Sequence, residues 1–215
     1  MNSKKFKLTS KKKYINDKTL YQIEALKDFA NVKAGDVKAG DLGGWVEYED
    51  NLSHDGNAWI SDNARISGNA WVSGNAWVSG NAWVFGNARI YGDARISDNA
   101  RIYGDARIYG DARISDNAEI FGNAEIFGNA RIYGDARVSD DAEIFGNARV
   151  SDDAVVSGNA WISDNARIYG DARISDNAEI FGNARIYGDA GIYGNAWVSG
   201  DAVVSDDAKE RDYEQ

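Results

Sequence analysis

The stretch DARISDNAEIFGNARIYGD, residues 171–189, repeats one six-residue phrase three times. Each phrase contains Asn or Asp, then Ala, a variable residue, Ile or Val, a Ser, Tyr or Phe, and finally Gly or Asp. From Ala58 to Ala208 an alanine stands at every sixth position, 26 times without a slip. Self-similarity at a fixed period is typical of stacked repeat architectures, so this repeat decides the fold.

Each six-residue unit predicts one short strand followed by one corner. Alternate side chains of a strand point to opposite sides, so Ala and Ile/Val share a dry face and the two variable slots face outward. The Gly, Asp and Asn residues that follow tolerate the positive φ of tight turns. Upstream, the same frame predicts Val46 and Leu52 in the alanine slot and Tyr48 and His54 in the Ile slot.

A six-residue period with a small inward residue beside a branched aliphatic resembles the hexapeptide-repeat left-handed parallel β-helix over about three quarters of the chain. This resemblance implies an all-β triangular solenoid with 18 residues in each coil and about nine coils. TLYQIEALKDF (residues 19–29) and GDLGGWVEYEDNLS (residues 40–53) also resemble segments of YdcK-like proteins of enterobacteria and prophages. That family carries a hexapeptide-transferase-like label, which implies no particular reaction.

The chain divides into three parts by its repeat pattern. Residues 1–45 predict a small N-terminal β cap, because the open end of a solenoid exposes its core and its strand edges. Within the cap, Tyr21, Ile23 and Ala25 alternate as in a strand, and Leu26 and Phe29 are further apolar contacts. Residues 46–208 form the solenoid, and residues 209–215 form a charged tail.

Charge and composition exclude several classes of function. The net charge is -10, although residues 1–43 carry ten Lys against five acidic residues, and these lysines are expected to lie solvated on a mobile terminus. An acidic body repels nucleic-acid phosphate, so DNA binding is not expected. The chain has no cysteine and no apolar run of the roughly 20 residues that a membrane helix needs. These features predict a cytoplasmic protein without a membrane partner.

Catalysis is not expected from the residues present. Enzymes of the resembled fold are mostly trimeric acyltransferases, in which a histidine acts as general base beneath an inserted loop. The one histidine is His54, which the repeat frame places inside the first coil in a structural role, and no loop interrupts the units from Ala58 onward. The outward glutamates and corner aspartates do not match calcium-loop patterns, so neither a metal nor another cofactor is predicted.

Every third unit stacks on one side of the prism, which defines three faces. The arginine face carries Trp59 and Trp77, and then a candidate anion-binding stripe. This stripe, the arginine column, consists of Arg95, Arg113, Arg131, Arg149, Arg167 and Arg185. The first interpretation is that corner aspartates neutralise the column, namely Asp135, Asp153, Asp171, Asp189 and Asp207. The alternative is that the column binds phosphate or carboxylate, with Tyr133, Tyr169 and Tyr187 available for stacking.

The aromatic face is a candidate interface. It carries Tyr91, Tyr109, Phe127, Phe145 and Phe181, flanked by Trp71, Trp161 and Trp197. Contiguous exposed aromatic residues are typical of interfaces, so we expect self-association, with a trimer favoured by the resemblance, ahead of a different protein partner. The mixed face carries Arg65, Trp83, Arg101, Glu119, Arg137 and Val155, and it predicts no specific contact.

Together these features predict a non-enzymatic β-solenoid scaffold or binding protein, encoded by a phage or prophage. It is expected to self-associate through the aromatic face and to present charged faces to a protein partner or a small anionic ligand. One alternative is a phage counter-defence protein that sequesters an anionic nucleotide or blocks a host factor. The other alternative is a hexapeptide-repeat acyltransferase.

Overall fold

The computed structural model describes residues 4–31, 35–205 and 209–211. Five strands precede the solenoid. The first two, β1 (Phe6–Ile15) and β2 (Lys18–Ala25), form an antiparallel hairpin. A second antiparallel pair consists of β3 (Phe29–Asn31) and β4 (Gly35–Val37). Strand β5 (Leu42–Val46) pairs antiparallel with β2 on one side and parallel with Arg65–Ile66 on the other, so it joins the predicted cap to the solenoid.

From Trp59 onward the chain forms a parallel β-solenoid with three sheets, and this confirms the predicted all-β architecture of about nine coils. Each strand pairs in parallel with the strand 18 residues further along the chain. The arginine face consists of Trp59–Ile60, Trp77–Val78, Arg95–Ile96, Arg113–Ile114, Arg131–Ile132, Arg149–Val150, Arg167–Ile168, Arg185–Tyr187 and Val203–Ser205.

The other two sheets follow the same spacing. The aromatic face consists of Trp71–Val72, Arg89–Ile90, Arg107–Ile108, Glu125–Ile126, Glu143–Ile144, Trp161–Ile162, Glu179–Ile180 and Trp197–Val198. After β5, the mixed face consists of Arg65–Ile66, Trp83–Val84, Arg101–Ile102, Glu119–Ile120, Arg137–Val138, Val155–Val156, Arg173–Ile174, Gly191–Tyr193 and Lys209–Arg211. The last of these strands continues the mixed face into the segment predicted as a charged tail.

The interior of the prism is filled by the two inward slots of each unit. In every unit from Ala58 to Val198 the alanine and the aliphatic residue are at most 3% exposed. An alanine is needed where the three walls converge, and the longer Ile or Val fills the remaining space. The core continues into the cap through Phe6 and Ile23, both of which are fully buried.

The first turn of the solenoid departs from the predicted frame. Val46 pairs with Ile66 and Leu52 with Val72, each 20 residues along the chain, so both occupy the Ile slot and not the alanine slot. Two extra residues therefore lie between Leu52 and Ile60, and they widen one corner. Because of this shift, Tyr48 is 55% exposed and His54 lies on the widened corner rather than inside the coil. The predicted inward positions of Tyr48 and His54 are wrong.

The cap also differs in detail from its prediction. The pairing of β2 with β5 shifts register between Gln22 and Glu24, so Tyr21 is half-buried while Leu20 before it is buried with Ile23. Leu26 is exposed and makes no core contact, whereas Phe29 packs edge-on against Trp59 at 5.5 Å.

The expectation of a solvated, mobile head is wrong for Lys5, which is fully buried.

The described residues contain no helix that is long and apolar enough to cross a lipid bilayer.

The corner position after each strand contains Gly in some units and Asp in others, and both have the same backbone conformation. Both residue types occur there with positive φ, for example 72° at Gly182 and 56° at Asp164. The Asp164 carboxylate accepts a hydrogen bond from the backbone N–H of Gly182 at 3.0 Å, one coil further on. Asp116 and Gly134 repeat this arrangement at 3.1 Å. An Asp corner thus stabilises the left-handed backbone and ties neighbouring coils together.

Candidate functional site

The arginine column is aligned in direct register along six consecutive coils. Each of its arginines pairs with the next arginine of the column in the parallel ladder. Neighbouring parallel strands lie roughly 4.8 Å apart, so the positive charges follow one another at about that spacing at their points of attachment. Arg95 and Arg149 are half-buried, and the other four side chains are exposed.

The second part of the column makes no close ion pair. Among the described side chains, no carboxylate oxygen lies within 4.0 Å of a guanidinium nitrogen of Arg131, Arg149, Arg167 or Arg185. Asp135 and Asp153 instead line a depression on the mixed face together with Arg101 and Arg137. Asp135, Asp153, Asp171 and Asp189 thus form no close ion pair with the column, while neutralisation at longer range stays a prediction, and Asp207 lies outside the described residues.

Arginines on the other two faces do have acidic partners. Arg107 donates to Glu125 at 2.7 Å on the aromatic face, and Arg101 donates to Glu119 at 3.4 Å on the mixed face. In both pairs the glutamate stands one coil beyond the arginine in the parallel ladder. Register thus opposes Arg to Glu in these two pairs, although it also opposes Arg89 to Arg107 on the aromatic face. Along the column it opposes Arg to Arg in five successive pairs.

The residues at the corner that precedes the column change from Asp to Asn along the prism. Near the start, burial and the positive charge of Arg113 lower the pKa of Arg95, while Asp111 and Asp93 act in the opposite direction. Further along, the corresponding corner positions are neutral amides. Their side chains form a hydrogen-bonded ladder at 3.2, 3.3 and 3.1 Å through Asn129, Asn147, Asn165 and Asn183. The part of the column from Arg131 to Arg185 therefore has uncharged side chains at the corner that precedes its strands, whereas the corner that follows contains aspartates.

A surface depression of about 300 Å³ lies within this second part of the column. Its lining includes Tyr133, Arg149, Ser151, Asp152, Arg167, Tyr169 and Arg185. The carboxylate of Asp152 already accepts a hydrogen bond from the backbone N–H of Gly170 at 3.1 Å. The sequence-derived stripe and two of its three tyrosines thus come together in one concave site.

The aromatic face contains a stacked ladder. Tyr91, Tyr109, Phe127 and Phe145 lie parallel, with successive ring centroids 4.9, 4.9 and 4.8 Å apart. Ser163 interrupts the ladder before Phe181. Burial first, and then the negative charge of Glu125, raises the pKa of Tyr109 to about 12.

Three tryptophans, Trp71, Trp161 and Trp197, remain 42%, 45% and 56% exposed beside this ladder. The mixed face contains a second ladder that the sequence reasoning missed. Its rings are 4.9 and 5.1 Å apart and belong to Phe85, Tyr103 and Phe121. The sequence could have revealed this ladder, because its three aromatic residues recur every 18 positions.

His54 lies at the rim of a second depression, of about 500 Å³, where the widened corner meets Lys27, Asp28 and Phe29 of the cap. Its Nδ1 accepts a hydrogen bond from the backbone N–H of Lys5 at 3.2 Å, so Nε2 carries the proton and donates to Glu49 at 2.8 Å. The ring also stacks on Phe6 at 4.4 Å. Both ring nitrogens are therefore engaged by the protein, which leaves no lone pair for a general base.

More than half of the chain matches the family model of the YdcK β-solenoid repeat. The matches cover residues 58–74, 88–120, 130–178 and 190–206. The chain belongs to the YdcK β-solenoid repeat family. Comparison with the curated proteins finds no match. The YdcK repeats include most of the arginine column and the depression around Ser151, whereas His54 and the cap precede the first matched repeat.

The junction between the cap and the YdcK repeats contains a buried amine. Lys5 is fully buried, and its Nζ donates hydrogen bonds to the carbonyl oxygens of Ala58 at 2.9 Å and Gly56 at 3.4 Å. Burial, reinforced by the positive charge of Lys27, lowers the pKa of Lys5 to about 8, and Asp55 acts in the opposite direction. The folded state therefore loses this proton at a lower pH than the unfolded chain does.

Removing Lys5 is expected to change the pH dependence of stability. Between pH 8 and about 10.5 the unfolded chain holds the proton that the folded protein has lost, so stability rises with pH. Relative to the Lys5→Met variant, the free energy of unfolding of the wild type is expected to increase by about 2 kcal/mol from pH 7.5 to pH 10. Urea denaturation across this range measures the difference.

The matched control is Lys7→Met, which removes an exposed lysine two positions further along, in β1. This variant is expected to keep the wild-type rise in stability above pH 8. A Lys5→Met profile parallel to that of the wild type would contradict a buried amine that titrates near pH 8.

Proposed function

We propose that the protein is a non-enzymatic binding protein that holds an anionic ligand on its arginine face, between Arg131 and Arg185. One observation carries this proposal. From Arg131 to Arg185 the column places arginine opposite arginine in every coil, and no described carboxylate oxygen lies within 4.0 Å of these guanidinium groups.

This arrangement has an energetic cost that a ligand would relieve. Like charges directly opposite each other on parallel strands are destabilising by up to about 1 kcal/mol per pair. The slot itself accepts other residues, since Glu143, Val155 and Trp161 occupy it elsewhere. A multivalent anion would replace the repulsion by charge-assisted hydrogen bonds, and planar guanidinium groups suit phosphate and carboxylate oxygens.

The absence of a poised base near the column favours binding over catalysis. The depression offers guanidinium, phenol and hydroxyl groups together with Asp152, whose carboxylate already bonds to Gly170. His54 belongs to the cap junction and has both ring nitrogens engaged. A phage or prophage origin, with sequestration of the ligand in the cytoplasm as a counter-defence, extends the proposal. It is supported by the likeness of residues 19–29 and 40–53 to YdcK-like proteins of prophages.

Inorganic tripolyphosphate is expected to bind the wild-type protein in isothermal titration calorimetry at low salt. The Arg149→Gln/Arg167→Gln variant should bind at least about tenfold more weakly, because it loses two charge-assisted contacts. The affinity of the wild type should also fall steeply as salt is added, since the arginines are exposed to screening.

The control variant Arg89→Gln/Arg173→Gln removes the same charge from the other two faces and is expected to bind tripolyphosphate like the wild type. Equal weakening in both variants would mean that only net charge matters. That result, or absence of binding to the wild type, would refute an anion site on the arginine face.

Self-association through the aromatic face is a second candidate function. The observation that favours it is the exposure of Trp71, Trp161 and Trp197, at 42% to 56%, along one face of the prism. Covering large aromatic side chains of this exposure with a second protein surface stabilises the association, because it removes apolar area from water. The ladder rings beside them already cover one another, so the tryptophans would make the principal contacts.

The Trp161→Ser/Trp197→Ser variant is expected to reduce the wild-type trimer to monomers, because it removes the apolar contacts. Light scattering coupled to size-exclusion chromatography measures the mass. Tyr14→Ser is the control, since Tyr14 is 77% exposed on the cap, away from the aromatic face. A wild-type protein that is monomeric at micromolar concentration, or a tryptophan variant that keeps the trimer mass, would exclude this interface.

A further inference from the structure

On the arginine face, a serine interrupts a column of tyrosines. The outer slot there contains Tyr133, Ser151, Tyr169 and Tyr187 on successive coils. Tyr169 and Tyr187 are stacked at 5.1 Å with their planes 10° apart. Tyr133 stands two coils before Tyr169, so these rings are separated by about 10 Å, which is twice the strand spacing. The space between them, the Ser151 gap, corresponds to one absent ring.

The protein's own ladders indicate what fits such a space. Stacked rings on successive coils lie 4.8 to 5.1 Å apart, with interplanar angles of 1° to 10°. A planar ring placed in the Ser151 gap would meet Tyr133 and Tyr169 at the same distances. Ser151 lines the depression, and it is only 6% exposed because the side chains around it shield most of its surface.

Two serines in this slot near the start of the solenoid bond to tryptophan, whereas Ser97 and Ser115 stand beside arginines as Ser151 does. The indole N–H of Trp77 donates to Ser61 at 2.9 Å, and that of Trp83 donates to Ser67 at 3.2 Å. Beside Ser163 the ring of Trp161 turns edge-on against Phe145 at 5.0 Å. At the Ser151 gap the equivalent neighbours are arginines, and no ring among the described residues stacks on Tyr133.

The Ser151 gap lies directly beside the unpaired part of the arginine column. Arg149, Arg167 and Arg185 line the same depression as Tyr133 and Tyr169. A ring that enters the gap would therefore bring any anionic group attached to it within reach of these guanidinium groups. A planar aromatic ring joined to several phosphates is the chemistry of a nucleoside polyphosphate.

We propose that the ligand of the arginine face is a nucleoside polyphosphate whose base occupies the Ser151 gap, stacked between Tyr133 and Tyr169. Its phosphates contact Arg149, Arg167 and Arg185. This inference rests on the proposed anion-binding function and adds a requirement for a planar base. Stacking of a base on aromatic side chains strengthens binding by about tenfold or more, so the base provides a measurable part of the affinity.

The test compares ATP with inorganic tripolyphosphate by calorimetry, in EDTA so that both keep their charge. The wild-type protein is expected to bind ATP about tenfold or more tightly than tripolyphosphate. In Ser151→Tyr a tyrosine ring fills the gap, and the two affinities should become equal. This variant is expected to fold, because Tyr occupies the same slot at positions 133, 169 and 187.

The matched control is Ser157→Tyr, which makes the same substitution on the mixed face and should keep the wild-type preference for ATP. If tripolyphosphate binds but ATP has no advantage in the wild type, or if Ser151→Tyr keeps the advantage, the base site is wrong while the anion site stands. If neither compound binds the wild type, both the base site and the proposed function are wrong.

Discussion

From Trp59 onward, each coil of the solenoid lies against the coil 18 residues further along the chain, and the rest of the structure depends on this register. The backbone N–H of Arg131 donates to Ala148 at 3.0 Å, and that of Arg149 donates to Ala166 at 2.9 Å. Because the bonds repeat in each coil, equal residues form columns along the prism. The residue in one slot therefore affects how well the neighbouring coils pack against it.

A column of identical residues stabilises or destabilises the solenoid, depending on the side chain. Asparagines gain from the register, because each amide is both donor and acceptor, as from Asn129 to Asn147 at 3.2 Å. Aromatic rings gain through parallel stacking, as for Tyr109 and Phe127 at 4.9 Å. Arginines lose, because they only donate and repel one another. Single pairs of like charge also occur on the aromatic face, at Arg89–Arg107 and Glu125–Glu143. The arginine column is the longest such run on the three faces, and local conflicts of this kind are expected at functional sites.

The strict period from Ala58 to Ala208 was sufficient to predict the strands, the buried alanine and aliphatic slots and the three faces. Prediction failed where that pattern stops. Leu52 and Ile60 are eight positions apart, but Asp50 stands where an alanine would mark the frame before Leu52, so the extra two residues and the outward shift of His54 were missed. The register shift after Gln22 likewise has no sequence signature, and it turned Tyr21 away from the core side.

The candidate site was predictable in part. The 18-residue register placed the column of arginines correctly, because ladder pairing depends on the backbone alone. The direction of the corner aspartates did not follow from register, since a carboxylate such as that of Asp152 bonds to the backbone of the next coil. The Ser151 gap also required side-chain conformations, because only these distinguish Ser61, whose hydroxyl accepts a hydrogen bond from Trp77, from Ser151, which lines a depression beside Arg149.

The central claim is that the arginine column is kept at a cost in stability, and replacing Arg149 by Glu tests it most directly. The glutamate would stand between Arg131 and Arg167, in the Arg–Glu order found on the other two faces. We expect urea denaturation at low salt to give a free energy of unfolding about 1 kcal/mol higher than that of the wild type, with the gain reduced in 1 M NaCl. A variant that is less stable than the wild type at low salt would contradict the claim.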